Sequence, residues 1–187
     1  MKKNLFLLFA GCLLTTGILG QVTDPKGGKL QPKAMSNAVA LGLTFPMGAF
    51  NQTHTPGLTL DYFRSLHRYG NDVFATKLIK FAMNGGMSYN AGKSTTTAGY
   101  EFLYGGIFTL YAAAGIDYKP AIPLNISLTA GPVMSIYEGT ADLSAGVYLI
   151  WNYFISKKIA VGPGISYRKQ AKADALWSGT IKVSYAF

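Results

Sequence analysis

The chain of 187 residues has room for one domain once a leader is set aside. Its formal charge of +9 invites a nucleic-acid partner, but no basic run exceeds two residues, so no phosphate-tracking stripe exists. The single cysteine, Cys12, excludes an intramolecular disulfide or a thiolate metal cluster.

The first element is a leader. Lys2 and Lys3 precede an apolar run from Leu5 to Leu14, and Thr15 to Gly20 then supplies small residues. This is the layout of a secretory signal peptide over 1–20 with cleavage after Gly20, the apolar run being too short to span a membrane comfortably. Phe9-Ala10-Gly11-Cys12 also loosely resembles a lipoprotein box, which would make Cys12 a lipidated N-terminus; the apolar run continuing past Cys12 favours cleavage at Gly20. Residues 21–36 carry two prolines, two glycines and three lysines and read as a flexible periplasmic lead-in.

From residue 37 to 187 hydrophobicity alternates, the period of a strand whose side chains point to opposite faces. Val39, Leu41, Leu43, Phe45 and Met47 oppose Ala40, Gly42 and Thr44. Leu58, Leu60 and Tyr62 oppose Thr59 and Asp61. The pattern is looser over 77–89, where Ile79, Phe81, Met83 and Met87 oppose Lys80, Asn84 and Ser88. Phe108 to Tyr118, Leu124 to Ile136, Leu143 to Tyr153, Ile159 to Arg168 and Trp177 to Phe187 continue it. These eight segments have the length of tilted membrane strands.

A soluble β-sandwich would also alternate. Here, however, the strands are long, aromatics gather toward strand ends, and the second face is small and polar. Such a face fills a sandwich core badly and suits a narrow lumen. In lipid every backbone group must be paired within the protein, so the sheet must close. The expected fold is all-β, an eight-stranded antiparallel up-and-down transmembrane β-barrel, with both termini in the periplasm. Lys119–Pro123, Ser156–Lys158 and His67–Asp72 are the predicted periplasmic turns. Asn51–Pro56, Asn90–Ala98, Glu138–Asp142 and Lys169–Ala175 are the predicted outer connections, all short.

Two local features carry a family resemblance. The first is Phe45-Pro46-Met47-Gly48-Ala49-Phe50, a polar loop, then Gly57-Leu58-Thr59-Leu60-Asp61-Tyr62-Phe63. The second is the terminal Ile181-Lys182-Val183-Ser184-Tyr185-Ala186-Phe187. The chain resembles the outer membrane protein beta-barrel domain family, the small OmpX/OmpA-like barrels, over about 37–187. The resemblance implies the outer membrane as location and outer-membrane lipids as partners. It also implies that Ile181, Val183, Tyr185 and Phe187 form the signal read by the barrel-assembly machinery during insertion. It fixes neither surface ligand nor activity, because the family is functionally mixed.

Candidate chemistry lies on the lumen face, which carries Asp61, Lys80, Asp117, Arg168 and Lys182. Charges in a narrow interior must pair or stay hydrated, so these five are expected to form a network that fills the barrel and holds its register; a water path is the alternative. The histidines are His54, in the first outer loop without a nearby Ser or carboxylate in sequence, and His67, in a predicted periplasmic turn. Neither supplies a Ser–His–acid set, and His54 reads as an ordinary polar loop residue. Gly162-Pro163-Gly164 and Gly85-Gly86 precede no helical pattern and lack a following Lys-Ser/Thr, so neither is a phosphate loop. No metal-ligand spacing, catalytic residue or cofactor is expected. The sequence favours a structural or surface-interaction barrel with a filled lumen, ahead of a small channel for ions or solutes and of a lipid A-modifying enzyme.

Overall fold

The structure is a computed structural model that describes residues 37–66, 79–121, 123–156, 158–169 and 175–187. The predicted leader, the lead-in, the His67–Asp72 turn and most of the Lys169–Ala175 connection lie outside the described residues.

Eight strands form one closed sheet: β1 (Asn37–Met47), β2 (Gly57–Leu66), β3 (Ile79–Asn90), β6 (Ile107–Ala121), β7 (Leu124–Tyr137), β8 (Thr140–Phe154), β9 (Ile159–Lys169) and β10 (Leu176–Ala186). A four-residue helix, α1 (Phe50–Thr53), follows β1, and a separate ribbon of β4 (Ser94–Thr97) and β5 (Tyr100–Leu103) follows β3. Around the barrel the order is β1-β10-β9-β8-β7-β6-β3-β2, every neighbour antiparallel. The closing pair is β1 with β10, Ala38 opposite Ala186 and Met47 opposite Trp177. Closure leaves no strand edge unpaired, which is what a bilayer interior demands.

The period of two sorts the side chains as predicted. Leu41, Leu43, Leu58, Phe81, Met83, Ile181 and Val183 are exposed on the outside, whereas Thr44, Asp61, Asn84, Thr109, Ser127, Ser166, Ser178 and Ser184 are buried inside. The molecule is thus inverted relative to a water-soluble barrel. Outward aromatics gather at two levels. Tyr62, Tyr118, Tyr185 and Phe187 lie toward the end that holds the first and last residues of the closed sheet, and Tyr89 and Trp177 toward the other. Aromatic rings with one polar edge suit the two borders of an apolar slab.

Three connections differ from expectation, the first being the predicted Lys119–Pro123 turn, where β6 runs on to Ala121 and β7 starts at Leu124. The stretch after Asn90 is not a short polar loop, because it carries the β4–β5 hairpin before β6 begins at Ile107. Its threonine run and Tyr-Glu-Phe-Leu segment favour extended backbone. Ala98 and Gly99, both at positive φ, close the two-residue turn between them. The predicted Glu138–Asp142 loop shrinks to the turn Glu138-Gly139, again with both residues at positive φ, and β8 starts at Thr140.

Candidate functional site

The lumen contains the candidate residues in three layers instead of one network. In the middle layer Asp61 on β2 and Lys182 on β10 form a buried ion pair. Strand β1 lies between those two strands, and Gly42 stands opposite both Thr59 and Lys182. Without a Cβ at Gly42, the Lys182 stem crosses β1; an added Cβ would stand 2.7 Å from Lys182 Cγ. On the other side, Tyr111 of β6 crosses β3 to donate its hydroxyl proton to Asp61 Oδ1. Gly86, the register partner of both Asp61 and Tyr111, is the residue crossed. An added Cβ there would run into the Asp61 carboxylate and lie 3.0 Å from Tyr111 Cε1.

Thr59 also donates to Asp61 Oδ1, at 3.1 Å. The ring of Tyr111 stacks on Tyr148 at 4.1 Å between centroids. Groups from β2, β6, β8 and β10 therefore meet across the barrel axis. A cavity of about 20 Å³ remains beside them, bordered by Thr44, Thr180, Tyr148 and Lys182; that is room for about one water and not for a solute.

Nearer the end where Ala38 faces Ala186, Ser127 donates to Asp117 Oδ1 at 2.8 Å, and Lys80 stands opposite Asp117 in register. Asn84 and Asn125 are buried as well, and their side-chain amides find no partner among the described residues. An apolar cluster of Ala38, Phe154, Ala160 and Ala186, with Phe63 packed on it, fills this end of the lumen.

Toward the opposite mouth, Arg168 of β9 donates from Nη1 to Thr109 at 2.6 Å and from Nη2 to Ser178 at 3.2 Å. It joins neither of the acidic layers. Above it the first connection folds inward. Phe50 is 2 % exposed, its ring lying 5.6 Å from the Arg168 guanidinium carbon. His54 is 6 % exposed, so it is a packed residue of the lid and not an ordinary surface histidine. Its ring lies 4.8 Å from Phe50 and 6.1 Å from Tyr137, and Nδ1 is 2.8 Å from the Thr53 hydroxyl. Burial pushes the His54 pKa below its ordinary value; the Gly105 backbone opposes this, and the charges of Arg168 and Lys93 add to it.

Ile181, Val183, Tyr185 and Phe187 all lie exposed on the outer face, and Lys158 sits 5.8 Å over the Tyr185 ring. Among the described residues no group of three or more His, Cys, Asp or Glu comes together. Sequence reasoning missed the lid and the tyrosine pair. The only sequence signal for the tyrosine pair was a large aromatic, Tyr111 or Tyr148, on an otherwise small and polar face.

These features define a class: a closed eight-stranded up-and-down barrel with an apolar exterior and a polar, self-filled interior. No family profile matches the chain, and no curated protein matches it either. Solved structures do. The chain is similar to the outer membrane protein Ail of Yersinia pestis in a phospholipid nanodisc, with TM-score 0.54 and 10 % identity over 81 % of this chain and 98 % of that one. The crystal structure of Ail gives TM-score 0.53 at 8 % identity over 81 % and 97 %. The outer membrane enzyme PagL gives TM-score 0.50 at 14 % identity over 81 % and 99 %. The fold is therefore that of the eight-stranded outer-membrane barrels, and at these identities the likeness extends to the fold alone.

Proposed function

We propose that the chain is an integral outer-membrane barrel with a self-filled lumen, whose role is structural or lies in contacts made at its surface. The observation that carries this reading is the middle layer, where Lys182, Asp61, Tyr111 and Tyr148 meet across the axis. An eight-stranded barrel is only wide enough for side chains to fill, and these fill it. Lipid is the partner that the exposed leucines, methionines and aromatics fit. In this reading both termini face the periplasm, and Ile181, Val183, Tyr185 and Phe187 serve recognition by the assembly machinery. The lidded end, with the β4–β5 ribbon, faces outward.

PagL shows that this fold can host an enzyme. His54 does not support such a role here: among the described residues its ring meets Thr53, Phe50 and Tyr137, with no carboxylate to orient it. Lipid A from cells with and without the protein is expected to have the same mass spectrum, and a shifted acyl pattern would establish the enzymatic reading.

The test of the filled lumen is conductance of the refolded barrel in a planar bilayer. Protein shown to be folded is expected to give no steps. Discrete steps whose size or selectivity changes in Lys182→Ala would overturn the reading in favour of a small pore.

A further inference from the structure

Arg168 is 3 % exposed and has no carboxylate partner among the described residues. Of the two buried acids among the described residues, Asp61 is taken by Lys182, Tyr111 and Thr59, and Asp117 accepts from Ser127 in another layer. Among the described residues the guanidinium reaches the hydroxyls of Thr109 and Ser178 and the face of Phe50, and its Nε finds no acceptor. A buried charge is costly unless an opposite charge accompanies it, and arginine cannot shed its proton to escape that cost.

Other donors gather at the same level. The Tyr148 hydroxyl is buried without a protein partner and overlies Gly146, the register partner of Arg168, at 2.9 Å from where a Cβ would stand. Ser135, the register partner of Thr109, is 2 % exposed, and its hydroxyl also lacks a protein partner. Phe50 closes the top of this layer.

From this geometry we infer that Arg168, with the Tyr148 and Ser135 hydroxyls, forms a binding site for one compact monoanion of halide or carboxylate size, enclosed by the Phe50–His54 lid. The guanidinium supplies the charge and a directional N–H, and the hydroxyls donate the remaining hydrogen bonds. The lid confines the site to small anions. This inference does not depend on the membrane in which the barrel resides.

The test is urea unfolding of the refolded barrel in a non-ionic detergent at fixed ionic strength, replacing bulky gluconate by chloride or by formate. A ligand held only by the folded state raises the midpoint with concentration. Wild type is expected to show that rise with chloride and formate, and Arg168→Gln to lose it. Equal midpoints in all three salts overturn the site, as does a rise that persists in Arg168→Gln. If Arg168→Gln does not refold, Tyr148→Phe decides. It removes one donor and keeps the ring, so the rise is expected to need more formate, and a curve identical to wild type overturns the assignment.

Discussion

Lys182 reaches Asp61 across an intervening strand, because the residue of β1 that it passes, Gly42, has no side chain. Both partners are buried. Removing one leaves the other as an uncompensated charge, a loss that for buried pairs runs to about 3–5 kcal/mol. Lys182→Met and Asp61→Asn are each expected to lower stability on that scale. The double variant should recover most of the loss, because no lone charge remains. Urea midpoints with unchanged slopes measure this. A double variant as unstable as the sum of the singles would show that the two residues do not act as a unit.

Gly86 gives a second, independent probe of the same layer. A methyl group there meets the Asp61 carboxylate, lies 2.7 Å from the Leu60 carbonyl oxygen and 3.0 Å from the Tyr111 ring. Gly86→Ala must therefore push apart the groups that close the lumen, at a cost of about 1–3 kcal/mol. Gly179→Ala is the control, since the nearest atom to its added carbon is Met47 Sδ at 3.6 Å, an ordinary contact. That variant is expected to match wild type or exceed it slightly, by restricting the unfolded chain. Equal losses at both sites would mean that the strands, and not the crossing side chains, resent the methyl group.

The alternation that betrays the barrel is local, so Leu41, Ile181 and Val183 could be assigned to the lipid side from their neighbours alone. The register around the barrel is not local. Asp61, Tyr111 and Lys182 are far apart in the chain, and only closure of β1 on β10 sets them around one layer. Sequence therefore identified lumen charges but not their division, which separates Arg168 from both acids. The lid was hidden for another reason. A helix as short as Phe50–Thr53 has no periodicity to detect, and His54 is buried by Phe50 and Tyr137, residues contributed by separate parts of the chain. At Ser94–Thr97 polar composition read as loop, although threonine favours a strand once Ala98-Gly99 turns the chain back.

The β4–β5 ribbon invites deletion. It pairs with no barrel strand, β5 is exposed along its whole length, and the Tyr104 N–H already donates to the Lys93 carbonyl at 3.0 Å beneath it. The lid is tied below that point, by Lys93 N–H to Thr53 O and Thr55 N–H to Ala91 O, both 2.8 Å. Replacing 94–103 by Asn-Gly between Lys93 and Tyr104 is expected to change stability by no more than about 0.5 kcal/mol, because an isolated two-stranded ribbon adds little of its own. A larger fall in the urea midpoint would show that the ribbon braces the mouth of the barrel.

His54 should make the lid sensitive to acid. Its pKa is lowered from 6.5 in the folded chain, first by burial and then by Arg168 and Lys93 against the opposing Gly105 backbone. Above the ordinary value both folded and unfolded chains hold a neutral ring, and His54 adds no pH dependence. Below it the unfolded chain takes up a proton that the folded lid resists, so stability falls with pH until the lowered folded value is passed, and then levels off. The slope cannot exceed about 1.4 kcal/mol per pH unit for one proton. Urea midpoints of wild type minus His54→Phe, taken from about pH 7.5 to 5, isolate the residue from His67 and from the carboxylates. The difference is expected to be flat near neutrality and to turn against wild type in acid. Amide exchange should quicken first at Asn51 to His54, where a charged ring would lie beside Arg168. A difference that stays flat throughout, or that favours wild type in acid, would show that the ring already reaches water or an acid.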